Sequence, residues 1–364
     1  MSQETPNESV ADKVALIIVI AIICTGIHGL VSILFLMGIS RLNFGRDIEV
    51  KHGVSSGASR LGGLAVLFSL FSGITINHYL NETLSIESLS LYIDDIFLFS
   101  LLIGLIGLME DLAQRISSLI RLSLILLIVV ISIVAMHEQL PYDLIIFDSF
   151  EGAIKTTLVY LFTVIMVTGF VNAGNIADGA NGLLSLIYIV FFFLLYSLDP
   201  SIFYLSMIVS LLIFFIYNIG TGRIFLGDFG AYFLSAIAAL SSIKVYAEHD
   251  VSVFLLASIL IYPCFEISRS LITRFFGKVS LMSPDNNHLH NYANDYFLFL
   301  GFSPHKSNSL TGLALASLTS FVPFYLFIIG VNPIDDVWLV LFVCEFLFLC
   351  LIYLFLIKIN LKKI

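Results

Sequence analysis

Apolar residues run along this chain in long blocks, parted by short breaks where glycine, asparagine and charged residues collect. A helix crossing a bilayer core about 30 Å thick needs roughly 20 such residues at 1.5 Å each. Eleven blocks fit that requirement: 14–40, 61–78, 94–109, 119–137, 152–171, 183–198, 201–219, 230–246, 251–271, 309–330 and 337–357. The break at Asp199 and Pro200 is so short that a very tight turn has to separate the sixth block from the seventh. The pattern predicts an all-α, polytopic integral membrane protein with about eleven transmembrane helices. It forms one domain over 1–364, since no linker, low-complexity tract or internal repeat interrupts it.

Composition agrees: 59% of the 364 residues are apolar and 12% charged, more apolar surface than one water-soluble core needs. The first twelve residues form a polar, acidic external tail without a basic leader, so the first block reads as a retained span. Cys24, Cys264, Cys344 and Cys350 all lie in apolar stretches and read as packing residues.

Charge sets the orientation. Fourteen of the 17 Lys and Arg fall in loops after odd-numbered spans or in the tail 358–364, and Lys13, Lys155 and Lys244 are left for the other face. The positive-inside rule makes the rich face cytoplasmic, with the N-terminus outside and the C-terminus inside. Acidic residues crowd the opposite loops, which accounts for a net charge of −9 without pointing to nucleic acid or any other particular partner.

The polar motifs gather on the basic face. Glu110 and Asp111 leave the third span together, and two carboxylates there are costly unless they meet water, a cation or a positive partner. Asp94 and Asp95, at the other end of that helix, are about 22 Å away and read as a solvated helix start. Asn172, Asn175, Asp178 and Asn181 recur every three residues among Gly174, Gly179 and Gly182. That spacing stacks along a turn tighter than an α-helix and offers oxygens and amides to a divalent cation or a phosphate. Asp228 stands between Gly227 and Gly230 at a helix start, either as a plain cap or as a metal ligand. The largest basic-face loop carries Arg269, Arg274, Lys278, His288 and His290, suited to phosphate oxygens, with zinc the lesser reading. Lys51, His52 and Arg60 add a basic, glycine-rich segment. His28 and Glu345, inside spans, read as interhelical hydrogen-bonding residues.

From about residue 41 to 306 the chain resembles the polyprenyl-phosphate N-acetylhexosamine-1-phosphate transferases (glycosyltransferase family 4), which include the phospho-MurNAc-pentapeptide translocase and the initiating transferases of O-antigen and wall-polymer synthesis. Five segments carry the resemblance in the family's order: Arg60 to Gly63, Glu110 with Asp111, Asn172 to Leu183, Gly227 to Gly230, and Pro284 to His290. It implies that a polyprenyl phosphate attacks the β-phosphorus of a UDP-N-acetylhexosamine on the cytoplasmic face of a bacterial inner membrane, releasing UMP. It further implies magnesium, or manganese in its place, held by Asp228 with Asn175. Asp111, Asp178 and Glu110 would be catalytic, and His288, His290, Arg274, Asn172, Asn181 and Arg60 would bind substrate. A homodimer is compatible with it. Glu110 stands where the family usually has Asp, and Gln114, Asn181 and Ser59 replace a common acid, acid and proline; Glu110 and Asn181 also occur in a branch of the family, and any role requiring a carboxylate at 114 or 181 is out of reach. The rival expectations are a transporter or lipid flippase, which calls for charges near mid-bilayer and an inverted repeat, and a catalytically silent relative.

Overall fold

The computed structural model describes residues 58–84, 95–139, 149–278 and 287–361, most of 26–46, and residues 141 and 147. The tail 1–12, the start of the first expected span, Asp94, Lys51, His52, Pro284, Asp285 and residues 362–364 lie outside the described residues. The described chain is helical, its β-structure limited to isolated bridges from Ser59 to Arg46 and Ile224. The helices are α1 (residues 31–39), α2 (Gly62–Leu84), α3 (Asp95–Ala113), α4 (Ser118–Ala135), α5 (Gly152–Ala177), α6 (Leu183–Leu198), α7 (Ile202–Thr221), α8 (Gly227–Glu248), α9 (Val253–Ile259), α10 (Ile261–Gly277), α11 (Leu289–Phe299), α12 (Pro304–Ile328) and α13 (Val337–Leu361).

Seven described helices are long and apolar enough to cross a membrane, eight if α9 and α10 count as one span. Their ends follow local chemistry. Ser117, Ser201 and Ser252 accept the first free amides of α4, α7 and α9. Ser201 starts α7 three residues after α6 ends, so the turn at Asp199 and Pro200 is as tight as the pattern demands. Gly222 ends α7 at φ +59, a left-handed backbone that a Cβ would strain.

The ninth expected span is not one rod. α9 and α10 meet at 82°. Pro263 is the third residue of α10, where its missing N–H costs nothing, but its ring would clash with the carbonyl of Ile259 if the helix ran straight through. Two other expectations also need correcting. Asn172 and Asn175 lie on ordinary α-helix, since α5 runs to Ala177 and only the turn 178–182 is irregular. The segment read as a polar loop up to Lys306 contains α11, with His288 as its N-cap.

α8 is the axis of the bundle. It is buried on nearly every side, 78% of its span window against 17% for α13, although its hydropathy is the lowest of the seven. Its small residues let other helices come close, while the strongly apolar α4 and α13 take the rim. α3 packs most extensively on it. A Cβ on Gly107 would lie 2.3 Å from the Asp228 carbonyl oxygen, and one on Gly63 2.4 Å from the Gly230 Cα, so both crossings depend on glycine. His28, ahead of α1 in the chain, lies 2.9 Å from the Ser69 carbonyl of α2, as its intramembrane position suggested. Glu345 is buried on α13 near Ser258 of α9, but neither of its carboxylate oxygens has a hydrogen-bond partner among the described residues, so the interhelical bond expected of it is not made there.

Candidate functional site

The N-terminus of α8 presents backbone amides that no residue of the helix can accept, together with the positive end of the helix dipole. Two carboxylates from neighbouring helices meet it. Asp111, fully buried in the last turn of α3, accepts the Asp228 amide through Oδ1 at 3.0 Å and the Phe229 amide through Oδ2 at 2.8 Å. The Gly227 amide faces the carboxylate of Asp178, which ends α5, and favours its charged form. Gly227 sits at φ +72 with its Cα hard against the Arg60 carbonyl, a contact no Cβ would permit.

Two guanidiniums complete the cluster. Arg60 reaches Asp111 Oδ1 through Nε at 3.2 Å and Asp228 Oδ1 through Nη2 at 2.8 Å. Arg121, from α4, donates to Asp228 Oδ2 at 2.5 Å. Arg60 is held there by its chain neighbours: the Gly62 and Gly63 amides donate to the Phe225 and Leu226 carbonyls, lashing the start of α2 to the strand of chain entering α8. Glu110 is buried beside Asp111 and accepts the Ile116 amide at 2.9 Å, which shapes the α3–α4 turn. Gln114, at φ +50 in that turn, donates to the Arg46 carbonyl at 2.6 Å, a bond an ionised acid there could not make.

Asp111, Asp178 and Asp228 face Arg60 and Arg121, with Glu110 buried beside Asp111, so the formal charge of the cluster is negative. Burial first, and the Asp228 carboxylate second, push the Asp178 carboxyl up to about 7, against the pull of Arg60 and the Gly227 amide. Among the described residues no three His, Cys, Asp or Glu side chains form a ready-made metal cage. Asp228 and the Asn175 amide are nevertheless hard oxygen donors in a region of excess negative charge. Magnesium takes one or two protein oxygens and completes its shell with water and phosphate, and the Asp228 carboxylate is a donor of that type, though Arg60 and Arg121 hold both its oxygens here. Asn175 donates to the hydroxyl of Tyr232, one helical turn beyond Asp228 on α8, at 3.5 Å.

The second half of the site is built on Glu266, a fully buried residue of α10 that sequence reading passed over. Its Oε1 accepts the Leu289 amide at 2.6 Å and the Tyr262 hydroxyl at 3.2 Å. Its Oε2 lies 2.9 Å from His288 Nδ1 and 3.2 Å from Arg269 Nε. The Tyr262 hydroxyl is also 3.0 Å from His290 Nδ1. A Cβ on Gly179 would sit 1.9 Å from His290 Nε2, so the second histidine lies directly on the turn that carries Asp178. The signal that could have revealed Glu266 is its i, i+3 spacing to Arg269 inside an apolar stretch, an expensive pair unless the two residues serve each other.

The remaining expected residues sit elsewhere around this centre. Asn172 donates back to the Thr168 carbonyl of its own helix at 2.8 Å. Asn181 is turned into the protein: its amide nitrogen donates to Ser309, its oxygen accepts from Asn218, and its backbone N–H meets Asn308 at 2.6 Å. It therefore holds the 178–182 turn to α7 and α12, and at this position an uncharged amide is what the neighbouring amides can satisfy. Arg274 is half-buried in the last turn of α10, about 7.5 Å of helix beyond Arg269. Arg60, Asp111, Arg121, Asp178, Asp228 and His290 are brought together.

Fold and site define a helical membrane protein with a basic and acidic centre, suited to phosphate chemistry, at one end of its bundle. The model of glycosyl transferase family 4, the family its motifs resemble, matches residues 95–246. The chain is 27% identical over 244 residues to a probable undecaprenyl-phosphate N-acetylglucosaminyl 1-phosphate transferase of Bacillus subtilis, covering 64% of each chain. It is 32% identical over 197 residues to the undecaprenyl-phosphate alpha-N-acetylglucosaminyl 1-phosphate transferase of Thermotoga maritima, covering 54% of this chain and 60% of that one. It is 31% identical over 170 residues to the phospho-N-acetylmuramoyl-pentapeptide-transferase of Lactiplantibacillus plantarum, covering 44% and 52%. The matches thus span less than two thirds of each of these three relatives.

Proposed function

We propose that the protein transfers an N-acetylhexosamine 1-phosphate from a UDP-sugar to a polyprenyl phosphate such as undecaprenyl phosphate, releasing UMP and starting a lipid-linked surface glycan. The reaction is assigned to the cytoplasmic face of a bacterial inner membrane, the face the basic loops favour. The observation that carries the reading is the convergence of Arg60, Arg121, Asp111, Asp178 and Asp228 on the N-terminus of α8, with His290 against the Asp178 turn.

Transfer between phosphates depends on charge neutralisation and in-line positioning more than on covalent help from the protein. A lipid phosphate monoester, with a second pKa near 6, is already mostly dianionic near neutral pH and needs little base catalysis. Magnesium, when bound by Asp228 and Asn175, would neutralise charge on the diphosphate. Asp111 keeps Asp228 aimed by capping its helix, which supports a positioning role in direct attack. Asp178, with its raised affinity for a proton, is the group suited to hold or accept one beside the reacting phosphates. Arg60 and Arg121 would offer guanidiniums to phosphate oxygens beside Asp228. Glu110 keeps the α3–α4 turn in place, and His288, His290 and Arg274 line the nucleotide side.

The test is transfer of labelled sugar phosphate from a panel of UDP-N-acetylhexosamines to undecaprenyl phosphate by purified protein, with magnesium chelated in a parallel sample. Metal-dependent product on at least one sugar supports the proposal; no product from any sugar in folded protein refutes it.

A further inference from the structure

Glu266 receives donors on both oxygens, and their identities fix where the protons of two histidines lie. The Leu289 amide can only donate, and it holds Oε1 at 2.6 Å. The Tyr262 hydroxyl spends its one proton on the same oxygen, so it can meet His290 Nδ1, 3.0 Å away, only as an acceptor. His290 must then carry its proton on Nδ1. His288 Nδ1 lies 2.9 Å from Glu266 Oε2, where a proton on Nδ1 makes a charge-assisted bond and a bare nitrogen would set lone pair against lone pair.

One contact opposes this. Arg269 Nη2 is 2.8 Å from the same Nδ1 and would prefer it unprotonated. The carboxylate prevails because Arg269 is satisfied elsewhere: its Nε donates to Glu266 Oε2, Nη1 reaches the Tyr353 hydroxyl at 3.5 Å, and its guanidinium lies 5.4 Å from the centre of the Tyr353 ring. A bare Nδ1 would instead set its lone pair against Glu266 Oε2, a repulsion that Arg269 Nε on the same oxygen only partly offsets. The two imidazoles stack with centroids 5.2 Å apart and planes 12° from parallel, so they form one rigid pair.

We propose that Glu266, with Tyr262 as its relay, is a positioning residue that locks His288 and His290 in the Nδ1–H tautomer, so that Nε2 of each ring is the atom offered to a phosphorylated ligand at the Asp178–Gly179 turn. An Nε2 presented this way accepts a proton or, once protonated, donates to phosphate with the Glu266 carboxylate balancing the ring's charge. The lock stands on the structure alone; its use by a ligand rests on the transferase reading.

Nitrogen-15 histidine labelling of the full chain in lipid nanodiscs, without substrate, reads each tautomer, with His288→Gln and His290→Gln assigning the signals. Wild type is expected to carry the proton on Nδ1 of both rings. In Glu266→Gln the Leu289 amide keeps the side-chain oxygen at its own place, so an NH2 that can only donate faces His288, and that ring's proton is expected to move to Nε2. In Tyr262→Phe the His290 signals are expected to change alone. Wild-type rings protonated on Nε2, or tautomers indifferent to both substitutions, overturn the proposal. Should Glu266→Gln fail to fold, Tyr262→Phe decides: movement of His290 alone supports the lock and any other pattern overturns it. Transfer from UDP-N-acetylglucosamine is expected to fall on the order of tenfold or more in Glu266→Gln. The same loss with unmoved tautomers would sink the lock and leave the transferase reading intact, whereas the expected tautomer changes in a protein that transfers nothing would do the reverse.

Discussion

Asp228 is held by two guanidiniums at once, and replacing it with asparagine keeps the shape while removing the charge they share. Transfer is expected to fall about a hundredfold or more in Asp228→Asn, the scale of losing one electrostatic stabiliser of a charged transition state. Unchanged kcat in that variant would remove Asp228 from the site. Asp111 is a different case: its two oxygens accept two backbone amides, and asparagine can accept with one only. Asp111→Asn is expected to lose about 1–3 kcal/mol of stability as well as activity, measured by thermal unfolding in detergent. Asp178 carries a pH signature. Its folded-state carboxyl binds a proton up to about 7, whereas an ordinary one releases it near 3.8, so the native chain holds the extra proton between those values and loses stability as pH rises through them. In metal-free protein, Asp178→Asn is expected to melt above wild type at pH 8, with the gap closing at pH 5. A gap that widens toward acid would contradict the assignment.

At the scale of elements, the contacts that assemble the site are made by backbone rather than side chains. Gly107→Ala would push a methyl group into the Asp228 carbonyl of α8, with no flexible side chain to yield, and is expected to cost about 1–3 kcal/mol and most of the activity. Gly179→Ala meets the His290 ring instead, a side chain that can shift only by giving up its bond to Tyr262, so it is expected to lower kcat and to cost less stability than Gly107→Ala. Equal loss of stability in the two variants would contradict this distinction. The long helices were legible in the sequence because bilayer thickness imposes a length, and the turn at Pro200 left a local mark, although seven or eight of the described helices, against eleven expected spans, are long and apolar enough to cross. The bend at Leu260 was not, since Pro263 lies in an apolar run that looks continuous. α11 was hidden for the opposite reason: it is short and polar enough to pass for loop. The motifs located the centre but not its wiring. That Asn181 points into the protein, that Arg121 joins Asp228, and that Glu266 orders the histidines all depend on helices distant in sequence meeting in space.

Over the whole molecule, the ionic groups of the site cluster at the end of the bundle where α3, α5 and α8 bring their termini together, and a nearly all-buried α8 runs away from it through the core. A transporter of comparable size calls for a charged binding site at mid-depth, whereas these charges are grouped at helix ends. The proposed reaction, movement of a sugar phosphate onto a lipid phosphate, depends on this centre. It is tested most directly by incubating purified protein with labelled UDP-N-acetylhexosamines, undecaprenyl phosphate and magnesium, and resolving the lipid-linked product. Product that forms with wild type, disappears on chelation and is absent with Asp228→Asn is the predicted result. Wild-type protein that is folded yet makes no lipid-linked product from any sugar of the panel, or makes it equally well without Asp228, would contradict the account.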